Sequence, residues 1–139
     1  KWLGEEMGET FVRRRPGKVQ IASMRFHSLR SKERQEEMRA NRELEDASGQ
    51  SAKSFWGWTD IAEAARACVL AIEVDFEGHE AFFINSEDTS AEEPTEELIK
   101  KVYPEAEFRS PMPGHTTAIS VEKAKRILGW KPESTWRDA

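Results

Sequence analysis

The chain has 139 residues, with 21 Lys and Arg against 26 Asp and Glu, a formal net charge of −5. That length suits one domain with a modest core, or a piece of a larger one; the acidic balance disfavours non-specific binding to nucleic acid or an anionic membrane. No segment approaches the roughly 20 consecutive apolar residues that crossing a bilayer needs, and the single cysteine, Cys68, excludes an internal disulfide and fits a reducing, cytoplasmic setting.

The first expected element is a helix over Lys1 to Arg15. Leu3, Met7 and Phe11 recur at helical spacing with Trp2 and Val12 alongside. The helix begins without an N-cap residue or lead-in turn, which reads as truncation. Arg13 to Arg15 suit its negative C-terminal end, and Pro16-Gly17 stops it. Val19 to Phe26, apolar on both faces in its middle, reads as a buried parallel strand. Helix and strand together make the second half of a β-α-β unit.

Ser31 to Asp46 is polar and charged, a solvated helix or an excursion loop, and Ala47 to Ser54 is a small-residue turn. Phe55 to Trp58 forms a short aromatic strand or turn. The clearest helix runs from Asp60 to Val74, with Asp60 and Glu63 as a capping pair and Ile61, Ala65, Cys68, Val69 and Ile72 as the expected buried stripe. Gly78 breaks the chain before a buried strand, Ala81 to Ile84. Pro94 opens a short helix with Leu98, Ile99, Val102 and Tyr103 on its inner side, ending before Pro104. After a loop to Thr117, Ser120 caps a last helix whose inner face is Val121, Ala124, Ile127 and Leu128, and Gly129 ends it. The tail from Trp130 to Ala139 is expected along the surface. Helices alternating with short buried strands make the fold class α/β.

Familiar catalytic constellations are absent. His27, His79, His115 and Cys68 stand singly, with no pair at metal-ligand spacing, so no metal is expected. No G-x-S-x-G nucleophile turn occurs, and the eight glycines form neither G-x-G-x-x-G nor a P-loop.

Five segments in order carry a resemblance instead. Lys1-Trp-Leu-Gly-Glu-Glu-Met7 resembles the stretch opening on the lysine of the Tyr-x-x-x-Lys pair in extended short-chain dehydrogenase/reductases. Met24-Arg-Phe-His-Ser28 is similar to that family's L-R-F-x-N strand end. Trp58 to Ala67 resembles its h-V-D-V-x-D-h-A-x-A helix start, Ala81 to Asn85 its x-F-N-I-x strand, and Ser120 to Trp130 its closing S-x-x-K-A-x-x-x-L-G-W. The closest likeness is to NAD-dependent epimerases and dehydratases acting on sugars or nucleotide sugars.

The resemblance implies the C-terminal part of a Rossmann-type enzyme plus its small substrate-binding domain. Residues 1–29 would be the remnant of the dinucleotide-binding domain and 30–139 the substrate-binding region. It implies NAD, with NADP not excluded, a sugar-type small-molecule substrate, and a homodimer in which the first helix takes part. Lys1 would be the catalytic lysine, lowering the pKa of a tyrosine one helical turn earlier and holding the nicotinamide ribose. Phe26 and His27 would lie at the cofactor, and Ser28, where the family usually has asparagine, at the substrate. Trp56 and Trp58 match a substrate-side stretch, although Trp56 replaces the family's basic residue, which weakens a nucleotide-diphosphate substrate. Arg109 and His115 would meet an anionic substrate group. The only tyrosine, Tyr103, reads as a core residue, so the chain alone is expected to be inactive. The alternative is a non-catalytic binding module or a degenerate remnant of such an enzyme.

Overall fold

A computed structural model describes residues 1–40 and 49–137. Their elements, in chain order, are α1 (Trp2–Arg14), β1 (Ile21–Phe26), β2 (Leu29–Arg30), α2 (Lys32–Ala40), a 3-10 turn (Ala52–Ser54), β3 (Thr59–Asp60), α3 (Ile61–Glu73), β4 (His79–Ile84), α4 (Thr95–Val102) and α5 (Glu122–Leu128). The fold is mixed α/β with two small parallel sheets. Much of the expected excursion, including Leu44 and the start of the small-residue turn, lies outside the described residues.

β1 pairs in parallel with β4, Ile21 opposite His79 through Phe26 opposite Ile84. β2 pairs in parallel with β3, Leu29 opposite Thr59 and Arg30 opposite Asp60. So β1, in the first expected region, shares its sheet with a strand from the second. The strand is half-buried rather than buried on both faces. Ala22, Met24 and Phe26 turn toward a core of Ala67, Ala71, Phe82, Ile84, Val121, Ala124, Leu128 and Trp130. On the other face lies α1, where Arg25 pairs with Glu5 and a Cβ added at Gly8 would stand 3.3 Å from the His79 ring and 3.4 Å from Ile21 Cγ2. Glycine at position 8 therefore lets helix and sheet approach closely. The order is helix, sheet, helices.

Two expectations about burial are overturned. In α3 the buried residues are Ala64, Ala67 and Ala71, whereas Ile61, Ala65, Cys68, Val69 and Ile72 face outward, Ile72 at 81% exposure. Small residues are what this contact requires: methyl groups let α3 settle against the sheet and the Trp130 indole, which branched side chains would hold away. Trp130, expected along the surface with the tail, is fully buried and donates from its indole Nε1 to the Glu63 carbonyl at 3.2 Å. Arg66 stacks over the same ring, 5.8 Å from its centroid.

The remaining expectations for helix ends hold with small changes. Asp60 caps α3, its Oδ1 accepting from the amides of Ala62 at 2.8 Å and Glu63 at 3.3 Å. Glu63 does not close a capping box, because its carboxylate pairs with Arg66. The expected Ser120 cap is corrected: Val121 holds the cap position of α5 without a side-chain bond and faces the core with Ala124 and Leu128, and the helix ends at Gly129 with φ +65°.

A second core gathers Ala52, Trp56, Ala91, Leu98 and Ile99, with Tyr103, Phe108 and Met112 packed on it. Tyr103 is a core residue, as expected, its hydroxyl donating to the Ala52 carbonyl at 2.8 Å. The chain enters this core through a tight turn in which Phe55 and Trp56 both take positive φ, 51° and 53°, a conformation that costs a non-glycine residue about 1–2 kcal/mol. Main-chain bonds hold the turn there: Trp56 N–H donates to the Ser51 carbonyl and Ser90 N–H to the Trp56 carbonyl, both at 2.8 Å. Asp88 ties the two Trp-rich segments together, accepting from Trp58 Nε1 at 3.0 Å and from the Thr135 hydroxyl at 2.6 Å. Burial pushes the Asp88 carboxyl up from its ordinary value, against those donors and Arg137.

Gly57 sits where this turn meets the first core. A Cβ there would stand 2.5 Å from Ile119 Cδ1 and 2.6 Å from Asn85 Oδ1, with the Ser54 carbonyl at 3.1 Å. Both neighbours are confined, since Ile119 and Asn85 are buried. Gly57→Ala should therefore destabilise the fold by about 1–3 kcal/mol, read as a lower urea midpoint, whereas Gly4→Ala, which meets nothing within 4 Å, should leave the midpoint unchanged or raise it.

Candidate functional site

Ligands of open α/β folds sit beyond the carboxyl ends of the strands. At that end of the β1–β4 pair lies a cleft of about 560 Å³, lined by Lys1, Gly4, Glu5, Ser23, Met24, Arg25, Phe26, His27 and Phe83. A larger hollow of about 860 Å³ opens at the opposite end, around the loops before β1 and β4. The smaller cleft is the better candidate, because it lies at the strand carboxyl ends and because one buried polar atom in its wall, His27 Nδ1, lacks a partner.

α1 is fixed over the sheet by a short polar chain. Ser23 Oγ lies 2.8 Å from His79 Nε2, and His79 Nδ1 lies 3.5 Å from Glu9. Nearer the cleft, Arg25 Nε donates to Glu5 at 2.9 Å, and that guanidinium holds the Glu5 carboxyl below the usual carboxylate range. These contacts set the helix so that Lys1, at its start, reaches the strand end.

His27 occupies the far side of the cleft. Its ring sits 5.8 Å from that of Phe83, and its Nδ1 is buried with no hydrogen-bond partner. Burial is the first cause holding the imidazole below its ordinary pKa, and the charge of Lys1 is the second. At neutral pH the ring is consequently neutral, with a donor or acceptor available to a ligand. Phe26, the last residue of β1, completes this wall.

Thr59 positions His27, and nothing in the sequence singles it out. Fully buried on β3, it donates from Oγ1 to the Ile84 carbonyl at 2.7 Å and accepts from the His27 amide at 3.2 Å. One hydroxyl thus ties the ends of β1 and β4 together. The only local signal is its place beside the Asp60 cap.

The other expected site residues are dispersed. Ser28 is exposed and lines a separate hollow of about 320 Å³ with Gln50, Ser51, Lys53 and Ser54. Trp56 and Trp58 expose none of their surface. The expectation that they meet substrate is corrected accordingly: in this chain both are packing residues, Trp58 bonded to Asp88 and Trp56 at the centre of the second core. His115 lines another hollow with Asp88, Pro132 and Thr135 and faces the Glu93 carbonyl at 3.2 Å, while Arg109 is exposed. The geometry therefore unites Lys1, Phe26 and His27 and leaves Ser28, Arg109 and His115 elsewhere.

Among the described residues no group of His, Cys, Asp and Glu is arranged to hold a metal ion, and no helix is long and apolar enough to cross a membrane. Comparison with protein-family models, curated proteins and solved structures finds no match.

The electrostatic link between Lys1 and His27 is directly measurable. Because burial and a nearby cation both disfavour the imidazolium, His27 should titrate below an ordinary histidine when its ring protons are followed by NMR. Lys1→Met should raise that midpoint part of the way back, since burial remains. The sign for stability follows: a depressed histidine favours the fold fully above its unfolded pKa, and this contribution is lost as the pH falls toward the folded value.

Proposed function

We propose that the chain supplies the substrate side and the lysine of an NAD-dependent site of the extended short-chain dehydrogenase/reductase type, acting on a sugar or another small polyol. The observation that carries this reading is the convergence of Lys1, Phe26 and His27 on one cleft at the carboxyl end of a parallel strand pair. These three positions come from the two N-terminal motifs of the family resemblance, and Lys1 meets the adjacent Phe26 and His27 in space although it lies far from them along the chain.

The residues present suit a nicotinamide ribose. Lys1 offers an ammonium to the ribose hydroxyls, and the buried, unpartnered Nδ1 of His27 calls for a polar partner of just this kind. Phe26 and Phe83 offer apolar surface on which a flat ring can rest. Bound there, NAD would supply hydride-transfer chemistry toward a sugar carbon. The chain's own part is to place the substrate hydroxyl and, through the Lys1 charge, to favour ionisation of a proton-transferring phenol beside it. Tyr103 does not fill that role, because its hydroxyl is engaged with Ala52 in the second core. No glycine-rich phosphate turn occurs in the sequence, so the diphosphate would be held by residues outside this chain.

With Trp56 buried and no base in its place, the described clefts suit a compact, uncharged polyol better than a nucleotide diphosphate sugar. The test is titration with nicotinamide mononucleotide at about 10 mM, a range suited to a weak half-site ligand. Ring resonances of His27 and Phe26 should shift, those of His115 should not, and Lys1→Met should abolish the effect. Absence of any shift at His27 would contradict the cofactor reading. Micromolar binding of intact NAD to this chain alone would contradict the claim that its phosphates are held elsewhere.

A further inference from the structure

We propose that Ser23, His79 and Glu9 form an acyl-transfer relay, with Ser23 as the nucleophile toward a small carboxylic ester seated in the cleft beside Lys1. The inference stands apart from the cofactor reading, which uses Lys1, Phe26 and His27 and needs none of these three groups.

Three elements bring the relay together. Side chains alternate along β1, so Ala22 and Met24 turn to the core while Ser23 faces α1. His79 opens β4, and because the register sets it opposite Ile21, it lies diagonally across from Ser23. The two side chains lean together until Ser23 Oγ stands 2.8 Å from His79 Nε2. Glu9, from α1, reaches the other ring nitrogen, its Oε2 lying 3.5 Å from Nδ1. The second carboxylate oxygen of Glu9 accepts from Arg13 Nε at 3.0 Å, one helical turn on, which steadies the group. Gly8 completes the seat. A Cβ there would stand 3.3 Å from His79 Cδ2, and the imidazole keeps only 9% of its side chain exposed.

The carboxylate decides the direction of the chain. When ionised it can only accept. Beside Nδ1 it favours the tautomer with the proton on that nitrogen, which leaves Nε2 to accept from the Ser23 hydroxyl. The order is hydroxyl, imidazole, carboxylate, with nucleophile and base inside the ~2.6–3.2 Å reach that activation of a serine requires. A serine that merely packs has no need of a base oriented from a third element.

Access decides what the relay can serve. Ser23 is half-buried and lines the cleft of about 560 Å³ together with Lys1, Phe26 and Phe83. The two aromatic rings suit a short apolar acyl group, and Lys1 brings positive charge to the space in which an oxyanion would form. Ser23 Oγ bonds to the ester carbonyl carbon as its proton passes to His79 Nε2. The bond to the leaving oxygen then breaks, and the alcohol departs with that proton. Water repeats the sequence on the acyl-serine: its proton passes to Nε2, the Oγ–acyl bond breaks, Ser23 recovers the proton and a carboxylic acid leaves.

The test treats the intact chain with a fluorophosphonate, which phosphonylates an activated serine with loss of fluoride, and locates the adduct by fragmentation mass spectrometry. One adduct is expected, at Ser23, with none at the exposed Ser28 or Ser120. His79→Gln should slow that labelling at least about a hundredfold, the scale of a lost general base. With p-nitrophenyl acetate as substrate, Glu9→Gln should lower kcat about fivefold, the upper end for a half-exposed pair, and leave KM unchanged. A merely structural Glu9 would leave kcat alone. Ser23→Ala should lose the hydrolysis yet keep the shifts that nicotinamide mononucleotide causes at His27, so the relay and the cofactor reading can fail separately. A folded parent chain left unlabelled by excess probe, or one labelled as fast after His79→Gln, would overturn the relay.

Discussion

One buried hydroxyl organises the candidate site. Thr59 Oγ1 donates to the carbonyl of Ile84 and accepts from the amide of His27, so the ends of β4 and β1 are held by a single side chain on a third strand. Buried main-chain groups need partners, and leaving one unsatisfied costs about 1–3 kcal/mol. At the end of a parallel pair the strand ladder no longer supplies them. Thr59 replaces the ladder at the point where β1 leaves the sheet, and the neighbouring Asp60 caps α3. The position of His27, the start of α3 and the approach of β2 to β3 all depend on this junction.

From that junction the chemistry follows by short steps. β1 ends at Phe26, the next ring faces the cleft, and α1 brings Lys1 to the other side through Glu5, Glu9 and the close approach at Gly8. Burial and the nearby cation keep the His27 ring neutral, with a nitrogen that has no partner.

Much of this was legible in the sequence because periodicity and caps are local. The helix over Leu3, Met7 and Phe11, the Asp60 cap, the strand ending at Ile84, the alternation of Val121, Ala124 and Leu128, and the stop at Gly129 all follow from neighbours along the chain. What failed depended on partners far away. In α3 the hydrophobic residues gave one stripe and the alanines another, and the fold used the alanines because close packing rewards small side chains where a helix meets a sheet and an indole. Apolarity alone cannot choose between those faces. The tail carries no periodic pattern to show that Trp130 is core. The likeness that assigned Trp56 and Trp58 to a substrate was blind to the left-handed turn that buries the first and to Asp88, which claims the second. α1 leaves Trp2, Leu3, Met7 and Phe11 exposed.

Thr59 had no signal of its own, since a threonine before an aspartate reads equally well as an ordinary strand residue. Its hydroxyl is where the account is most exposed to contradiction. Urea unfolding of Thr59→Val, which keeps the shape and removes the oxygen, should show a loss of about 1–3 kcal/mol, while Thr59→Ser, which keeps the oxygen, should lose less. If Thr59→Val proves as stable as the parent chain, the hydroxyl does not join the strand ends, and the positioning of His27 must have another cause.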